Sequence, residues 1–468
     1  MNEQVFATPE ERVLPTLNND GTRRWLNPKR SKGKFLTGRI WVGWGLIVLF
    51  VALPWIRIAD RPAIWLNLPA REFTFFGKVF LSTDTLVLML GMLAIFVTIF
   101  LLTALLGRVW CGWGCPQTVY MELLFRPVEQ ILERWSRGRS TVRKGVAQVT
   151  KYVLFLLFSM FLAHTFLAYF VGTDALRVWV TQSPLDHPGP FLVMASTVGL
   201  MMFDFAYFRE QMCTVICPYA RLQSALIDRD SMIIGFDAQR GEPRGKGAVK
   251  EIKKGVTERR FGDCIDCKAC VVTCPTGIDI RNGPQLECIG CAQCADACDS
   301  IMDKIGAPRG LVRYSSQRVL EDNTPSRIIR ARTLLYPAIL FVLLTALIVV
   351  LSSAGVFEME LLRNPGAPFA VLDDGAVRSP VRLRIANRES NSQKYTIRVL
   401  EEDLTALAPI NPFPVEPNRT ESTTLFITAP SASFTNGNRV MTVEVTSSSG
   451  ATQQKTFQLL GPLKGIER

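Results

Sequence analysis

The sequence has no cysteine before Cys111 and none after Cys298, so its 12 cysteines are confined to the middle of the 468-residue chain. A disulfide framework would distribute its cysteines over the domains that it braces. The clustering indicates metal or redox sites instead, and it predicts a C-terminal region that folds without a disulfide. The first residues, as far as Arg39, also lack a long apolar run, and we therefore expect no cleavable signal peptide.

Acidic residues are too few to balance the basic ones, with 41 Asp and Glu against 53 Lys and Arg, which gives a formal net charge of +12. Such a charge is compatible with nucleic acid, with an anionic membrane surface, or with the cytoplasmic flanks of membrane helices. Hydrophobic residues make up 48% of the chain. We therefore predict a membrane protein and no nucleic-acid partner.

Five apolar stretches are long enough to cross a membrane, because about 20 helical residues span the hydrocarbon core. They are residues 40–56, 85–106, 152–171, 190–208 and 334–356. Lys and Arg are densest before the first stretch, between the second and third, and after the fourth. The positive-inside rule places these three segments in the cytoplasm. Five spans then leave the C-terminus on the opposite side of the membrane.

The strongest motif is C-x-x-C-x-x-C-x-x-x-C, which occurs twice; we call the two copies the ferredoxin motifs. The first contains Cys264, Cys267, Cys270 and Cys274, and the second contains Cys288, Cys291, Cys294 and Cys298. Zinc sites usually show two C-x-x-C pairs with a longer spacer, and a cytoplasmic location disfavours disulfides. The doubled spacing is typical of bacterial proteins with two [4Fe–4S] clusters, in which the fourth cysteine of each copy ligates the other cluster.

This exchange of the fourth ligand determines which four cysteines are predicted to ligate each cluster. The first cluster takes Cys264, Cys267, Cys270 and Cys298. The second takes Cys288, Cys291, Cys294 and Cys274. The first copy ends in Cys274-Pro275 and the second in Cys298-Asp299, a departure that changes the turn but not the number of ligands.

A second pair of motifs, C-x-x-x-C-P, follows the second and fourth apolar stretches; we call them the membrane-edge motifs. Their cysteines are Cys111 and Cys115 in one copy, and Cys213 and Cys217 in the other. If each segment is helical, its two sulfurs share one helix face, and packing of the helices would assemble four sulfurs. Soft thiolates favour copper as Cu(I), a redox-active dithiol is the alternative, and small packing cysteines are a third interpretation.

From about Asn364 the pattern changes to short runs with period-two alternation, separated by Pro, Asn, Ser and Gly. Such runs predict half-buried strands, here at 381–386, 395–400, 423–428, 440–445 and 456–460. The predicted fold is a polytopic α-helical membrane protein with an inserted two-cluster ferredoxin-like segment and an all-β immunoglobulin-like domain. The predicted regions are a cytoplasmic arm (1–39), four membrane helices (40–208), the cytoplasmic cluster segment (209–333), a fifth helix (334–356) and the β-domain (364–468).

Nearly the whole chain resembles the CcoG family of cytochrome c oxidase accessory proteins, also called FixG or RdxA. The resemblance rests on Trp-Cys-Gly-Trp-Gly-Cys-Pro at 110–116, Cys-Thr-Val-Ile-Cys-Pro-Tyr at 213–219, the ferredoxin motifs, a further span and the β-rich tail. The membrane half is also similar to polyferredoxins of the periplasmic nitrate reductase quinol-oxidising type. Those proteins generally lack the β-rich tail, which favours the CcoG family.

The resemblance implies a protein of the bacterial inner membrane that reduces Cu(II) to Cu(I) for maturation of a cbb-type oxidase. It implies that Cys111, Cys115, Cys213 and Cys217 form the reducing site. The implied partners are oxidase assembly factors and copper chaperones or a copper transporter; the cytoplasmic electron donor is not specified. Two other hypotheses stay open: a quinol-linked relay to another reductase, and a scaffold that binds an oxidase subunit through its β-domain.

Overall fold

The computed structural model describes residues 16–17, 22–58, 61–69, 72–81, 85–138, 140–254, 259–353, 355–389, 391–417 and 419–462. The chain divides into two compact units. The first unit comprises residues 1–55 and 89–346, and the second comprises 56–88 and 347–468.

The helices of the described residues are concentrated in the first unit. They are α1 (Lys34–Ala52), α2 (Thr85–Leu106), α3 (Val109–Trp113), α4 (Pro116–Tyr120), α5 (Arg126–Ser136), α6 (Thr141–Val171), α7 (Thr173–Trp179), α8 (Pro188–Met202), α9 (Pro218–Leu226), α10 (Ala238–Gly241), α11 (Ala248–Lys253), α12 (Ala269–Val272), α13 (Gln293–Ile305), α14 (Gln317–Asp322) and α15 (Ala331–Ser353). π-Helical turns follow α4 at Met121–Phe125 and α8 at Phe203–Phe208, and a third π-helical turn spans Met212–Ile216.

Five helical segments are long and apolar enough to cross a membrane. They are Lys34–Trp55, Thr85–Leu106, Thr141–Val171, Pro188–Phe208 and Ala331–Ser352. Each overlaps one of the five predicted stretches, which confirms the predicted class of polytopic membrane protein. The third helix begins at Thr141 rather than at 152, because hydropathy marks the apolar part of a helix and not the polar turns before it.

Aromatic side chains pack the membrane helices against one another. The Phe125 ring stacks on Phe205 with the centroids 4.2 Å apart and meets Phe155 edge-on at 4.9 Å. The Tyr169 hydroxyl on α6 donates to the carbonyl of Phe50 on α1 at 2.7 Å. The contact between Phe125 and Phe205 holds the segment after the first membrane-edge motif against the span that precedes the second.

The strands of the described residues are short outside the C-terminal domain. They are β1 (Arg57–Ile58), β2 (Arg61–Pro62), β3 (Ile64–Asn67), β4 (Glu72–Phe75), β5 (Lys78–Leu81), β6 (Ile233–Phe236), β7 (Val312–Ser315), β8 (Phe357–Arg363), β9 (Ala370–Val371), β10 (Ala376–Asn387), β11 (Gln393–Val399), β12 (Thr405–Leu407), β13 (Phe413–Val415), β14 (Thr420–Pro430), β15 (Asn438–Ser447) and β16 (Thr452–Leu460).

The C-terminal domain is a sandwich of two antiparallel sheets. One has the order β12-β14-β10-β8 with β9 also paired to β10, and the other has the order β13-β11-β15-β16. Leu383, Tyr395, Leu425 and Met441 are fully buried between them, as the alternation along each strand requires. The predicted strands all fall on β10, β11, β14, β15 and β16, and the predicted immunoglobulin-like class is confirmed. Strand β8 lies before residue 364, where the predicted β-domain begins. It forms an edge strand of the first sheet, which the alternating sequence pattern did not predict.

The segment between the first two spans forms a structure that the sequence analysis did not predict. Strands β3, β4 and β5 make a small antiparallel sheet, and this segment belongs to the same compact unit as the β-sandwich. Glu72 on β4 pairs with Arg384 on β10, with a nitrogen–oxygen distance of 3.5 Å.

Candidate iron–sulfur and thiol centres

The two ferredoxin motifs share one backbone conformation. Asp266 and Lys268 flank the second cysteine of the first copy with φ angles of 54° and 57°. Gly290 and Ala292 occupy the same two positions in the second copy with φ angles of 67° and 57°. Such alternation curls the chain so that successive amide groups face one concavity, which suits an anionic group. The repeated geometry is what two thiolate-ligated cubanes require.

Backbone amides also reach the sulfurs at matching positions. The N–H of Asp266 donates to the Cys264 sulfur, and the N–H of Gly290 donates to the Cys288 sulfur. Donors of this kind favour the thiolate form that ligation needs and tune the potential of a bound cluster.

The structure brings Cys298 to the first ferredoxin motif. Burial raises the pKa of the Cys298 thiol to about 12, and Cys270, Cys267 and Cys264 contribute to this shift. The ligand set predicted for the first cluster is thus gathered in one place, and its role as a ligand set stays a prediction.

Cys274 lies correspondingly with the second ferredoxin motif. A cavity of about 340 Å³ is lined by Cys274, Cys288, Cys291 and Cys294, with Cys270 also at its wall. Burial, together with the neighbouring Cys291 and Cys274, raises the pKa of Cys288 to about 12. A hollow bordered by four cysteines fits the predicted second cluster.

The membrane-edge motifs also share one backbone conformation. The N–H of Cys115 donates to the carbonyl of Trp110 at 2.9 Å, and the N–H of Cys217 donates to the carbonyl of Met212 at 2.8 Å. Both second cysteines are N-caps, and the proline that follows each one begins a helix. The two cysteines of a motif therefore do not share one α-helix face, because proline keeps the residue before it out of the helical conformation.

The four membrane-edge sulfurs nevertheless form one group. Burial raises the pKa of Cys213, and Cys115, Cys111 and Cys217 raise it further. Burial likewise raises the pKa of Cys111 to about 12. A metal bound here would deprotonate its thiols outright.

No group of three or more His, Cys, Asp or Glu side chains among the described residues is placed to hold a single metal ion. That holds for the membrane-edge cysteines and equally for the ferredoxin cysteines.

Gln223 lies directly against this sulfur group. It is fully buried, and the Cys111 Sγ donates to its Oε1 at 3.2 Å. Its amide nitrogen has no hydrogen-bond partner among the described residues. A buried donor without a partner lowers the stability of the fold. A bound group that accepts a hydrogen bond from this amide would remove that cost. Nothing in the sequence distinguished this glutamine, because its importance depends on a contact across more than a hundred residues.

Buried polar contacts join the helix after the first membrane-edge motif to the turn before the second. The contacts are Gln117 to Asp204 (3.0 Å), Gln117 to the carbonyl of Arg209 (3.2 Å), Arg126 to Glu210 (3.3 Å) and Arg209 to Glu129 (2.7 Å). In the sequence, Lys and Arg in these segments indicate only the membrane topology. Their second role is to hold the two motifs side by side.

The first membrane-edge motif packs directly on the second ferredoxin motif. A Cβ added at Gly112 would lie 2.7 Å from the carbonyl oxygen of Ile289 and 2.8 Å from the Cα of Cys291. Glycine is therefore required at position 112 for the backbones to approach so closely. The Arg108 guanidinium, just before this motif, donates to the carbonyls of Ala220 and Leu286, and Cys111, Cys288 and Cys217 are among its charged neighbours.

Three family models match separate parts of the chain. Residues 208–317 match a 4Fe-4S dicluster domain, residues 88–142 match a 4Fe-4S binding domain, and residues 347–462 match the IG-like fold at the C-terminus of FixG. Together with the five apolar helices, these matches define a multi-pass membrane protein that carries [4Fe–4S] clusters and transfers electrons.

Three bacterial proteins are similar to this chain over most of its length. RdxB of Cereibacter sphaeroides is 34% identical over 438 residues, which cover 86% of this chain and 88% of RdxB. RdxA of the same organism is 33% identical over 442 residues, 87% of this chain and 89% of RdxA. The nitrogen fixation protein FixG of Rhizobium meliloti is 32% identical, with 78% and 77% covered. The chain belongs to the FixG/RdxA family.

Proposed function

We propose that this protein reduces Cu(II) to Cu(I) for the maturation of a cbb-type cytochrome c oxidase, with Cys111, Cys115, Cys213 and Cys217 forming the site where electrons leave. Each Cu(II) ion takes up one electron. A one-electron donor in the cytoplasm, of the reduced flavoprotein or ferredoxin class, replaces that electron. The bound clusters supply one-electron oxidation and reduction. The chain's own residues hold the clusters and place the membrane-edge sulfurs beside them.

The observation that carries the proposal is the contact between Gly112 and the backbone of Ile289 and Cys291. It joins the membrane-edge motifs to the ferredoxin motifs without an intervening layer of side chains. A second cavity, of about 320 Å³, is lined by Cys213 and shares Thr276 and Ile289 with the cavity of the second ferredoxin motif. These short connections support an electron path that ends at the membrane-edge sulfurs.

Contacts among the basic segments support a cytoplasmic location for the N-terminal arm and the cluster segment. Ser31 of the arm donates to the carbonyl of Gln293 at 3.1 Å. The amide of Asn27 donates to Glu133, in the segment between the second and third spans, at 2.8 Å. Segments that touch one another lie on one side of the membrane, and all three carry the excess of Lys and Arg expected of the cytoplasmic side.

Contacts among the remaining segments support a periplasmic C-terminal domain. The Arg177 guanidinium, after the third span, lies 4.9 Å from the ring centre of Trp55 at the end of the first span. In the second unit, Glu72 pairs with Arg384 of the β-sandwich. Each pair joins segments that the positive-inside rule places outside the cytoplasm. The family resemblance supports the bacterial inner membrane and partnership with oxidase assembly factors and copper chaperones or a transporter.

The test is Cu(II) reduction by the anaerobically purified full-length protein. We expect Cys111→Ser and Cys213→Ser to lose at least 90% of the rate, because each removes one sulfur of the exit site, while both ferredoxin clusters keep their paramagnetic signals. Met212→Leu is the matched control, since it alters the neighbour of Cys213 and no proposed ligand. Full activity in both serine variants would overturn the assignment of the exit site.

A quinol-linked relay is the second candidate, and one contact favours it. Gln117, two residues beyond Cys115, donates to the Asp204 carboxylate at the end of the fourth span. A carboxylate at this depth can accept a proton when quinol is oxidised. Cluster reduction by a quinol analogue, together with indifference to copper, would favour this function over Cu(II) reduction.

A further inference from the structure

We propose that Cys111, Cys115, Cys213 and Cys217 jointly hold a third [4Fe–4S] cluster, beside the two of the ferredoxin motifs. The place of this cluster at the end of the electron path rests on the proposed function, but its binding does not. The proposal replaces the three interpretations that the sequence left open, a copper ion, a dithiol or small packing cysteines, with a resident cofactor.

The number of ligands supports a cubane. A [4Fe–4S] cluster takes four thiolates, and contacts place the two membrane-edge motifs side by side. The Cys111 Sγ contacts Gln223 on the helix that Cys217 caps, and the Gln117 amide, two residues after Cys115, donates to the Arg209 carbonyl before Cys213. The matched 4Fe-4S binding domain covers residues 88–142, which contain only Cys111 and Cys115. Two further ligands must come from elsewhere, and Cys213 and Cys217 are the cysteines that join this pair.

Gln223 supplies an independent indication of a ligand. Its side chain is fully buried and its amide nitrogen has no partner among the described residues, while its oxygen lies 3.2 Å from the Cys111 sulfur. Once Cys111 is a thiolate it can no longer donate to that oxygen. A rotation of the amide by half a turn then presents the nitrogen to the sulfur, so that one change satisfies both the orphaned donor and the thiolate.

Arg108 provides charge balance for the same group. Four thiolates around a [4Fe–4S] core leave a net negative charge, which is costly to bury without a compensating cation. Arg108 is largely buried, and Cys111, Cys288 and Cys217 are among the groups that interact with its charge. One cation thus lies between the membrane-edge sulfurs and the second ferredoxin motif, where it would stabilise clusters on both sides.

The test is the iron and acid-labile sulfide content of the anaerobically purified full-length chain. Three cubanes predict about 12 iron and about 12 sulfide per chain, whereas two predict about 8 of each. We expect Cys111→Ser and Cys213→Ser each to lose about four iron and to keep the paramagnetic signals of the ferredoxin clusters. The double variant should lose no more iron than either single one, because both cysteines serve one cluster. Met212→Leu should keep the full content.

A substitution that removes no ligand tests the proposal even if the cysteine variants fail to fold. Gln223→Leu removes the proposed hydrogen bond to the Cys111 sulfur and no ligand. We expect it to keep about 12 iron and to move one of three midpoint potentials to a more negative value, since a donor to sulfur stabilises the reduced state. Ser224→Ala, at the next position of α9, should leave all three potentials in place.

The third cluster and the proposed function can fail separately. About 8 iron in the wild type, unchanged in Cys111→Ser and Cys213→Ser, would overturn the third cluster, as would stoichiometric copper or zinc lost from these variants. The proposed function would then still stand if both variants lost Cu(II) reduction. A full iron content without Cu(II) reduction would instead keep the cluster and overturn the function.

Discussion

The ferredoxin motifs and the membrane-edge motifs are both duplicated, and they are assembled by different means. Both ferredoxin copies lie in one continuous segment, between Cys264 and Cys298, and their curled backbone follows from matching φ angles around Cys267 and Cys291. The membrane-edge copies lie about a hundred residues apart and meet through helix packing and buried ion pairs.

Because of this difference, the two kinds of site should respond differently to substitutions. A site shaped by its own loop depends on its ligands and on the metal that they bind, because ligation and folding are coupled. A site assembled from distant segments depends in addition on residues that touch no metal. Substitutions can therefore separate the two kinds of site.

The largest expected effect comes from removing a ferredoxin ligand. Cys291 is buried and lines the cavity of the second ferredoxin motif. We expect Cys291→Ser to lose the second cluster, at least about four iron per chain, and with it all Cu(II) reduction. Iron analysis and paramagnetic resonance check this outcome. The β-sandwich belongs to the second compact unit and should stay resistant to protease in this variant. Digestion of the β-sandwich would show that its folding depends on the cluster in the first unit.

Removing a buried charge should damage the membrane-edge site alone. Arg126 pairs with Glu122 and Glu210, and its side chain is 3% exposed. Arg126→Met would leave the Glu122 carboxylate without its ion pair and Glu210 with only the more distant Arg23, 3.8 Å away, at a cost of about 3 kcal/mol. We expect the purified variant to unfold at a lower temperature and to lose the Cu(II) reductase rate, while the ferredoxin signals persist.

The matched control for this variant is Arg134→Met, at an exposed position of the same helix α5. It removes the same charge without breaking a buried pair, so its thermal midpoint and rate should equal those of the wild type. Equal losses in both variants would mean that net charge, and not the buried pairing, holds the membrane-edge motifs together.

The same contrast explains what the sequence could predict. The ferredoxin spacing is a local property, so its eight cysteines could be assigned to two ligand sets from the spacing alone. The spans and the strands of the sandwich are also local patterns of hydropathy. Gln223 and Arg108 carry no such pattern, because each acts through contacts with distant parts of the chain.

The membrane-edge motifs do not meet the condition under which a shared helix face was expected. The spacing of four residues between Cys111 and Cys115 indicates one helix face only if a helix continues through both positions. Pro116 prevents this, and Cys115 becomes the N-cap of the next helix. The small sheet β3–β5 was missed for another reason: its pairing partners follow one another in short strands with little alternation in burial.

A smaller effect is expected from the acidic side chain that anchors Arg209. Burial alone would raise the pKa of Glu129, but hydrogen bonds from Arg209 and Lys151 outweigh it and lower the pKa. A lowered pKa stabilises the fold above the ordinary carboxyl pKa, and this contribution disappears as the pH falls through the lowered value. We expect Glu129→Gln to cost about 2 kcal/mol at pH 7 and progressively less below about pH 4. The thermal midpoints of the wild type and the variant across this pH range check the trend. A difference between them that grows as the pH falls would contradict it.

The smallest effect concerns the wall shared by the two cavities. Thr276 is buried, and its hydroxyl lies 3.4 Å from the Cys274 sulfur. When Cys274 is a thiolate, only the hydroxyl can donate, and that bond stabilises the reduced cluster. Thr276→Val keeps the shape and removes the donor. At about 1 kcal/mol for one hydrogen bond, the midpoint potential of the second ferredoxin cluster should fall by roughly 40 mV.

Redox titration followed by paramagnetic resonance measures this shift, and Thr276→Ser provides the control because it retains the hydroxyl. The membrane-edge site should respond less than the ferredoxin cluster, since Thr276 borders the cavity at Cys213 without a hydrogen bond to that sulfur among the described residues. An equal shift at both sites would indicate that the wall acts through its polarity as a whole. A shift confined to the Cys274 cluster would assign the effect to one hydroxyl on one sulfur.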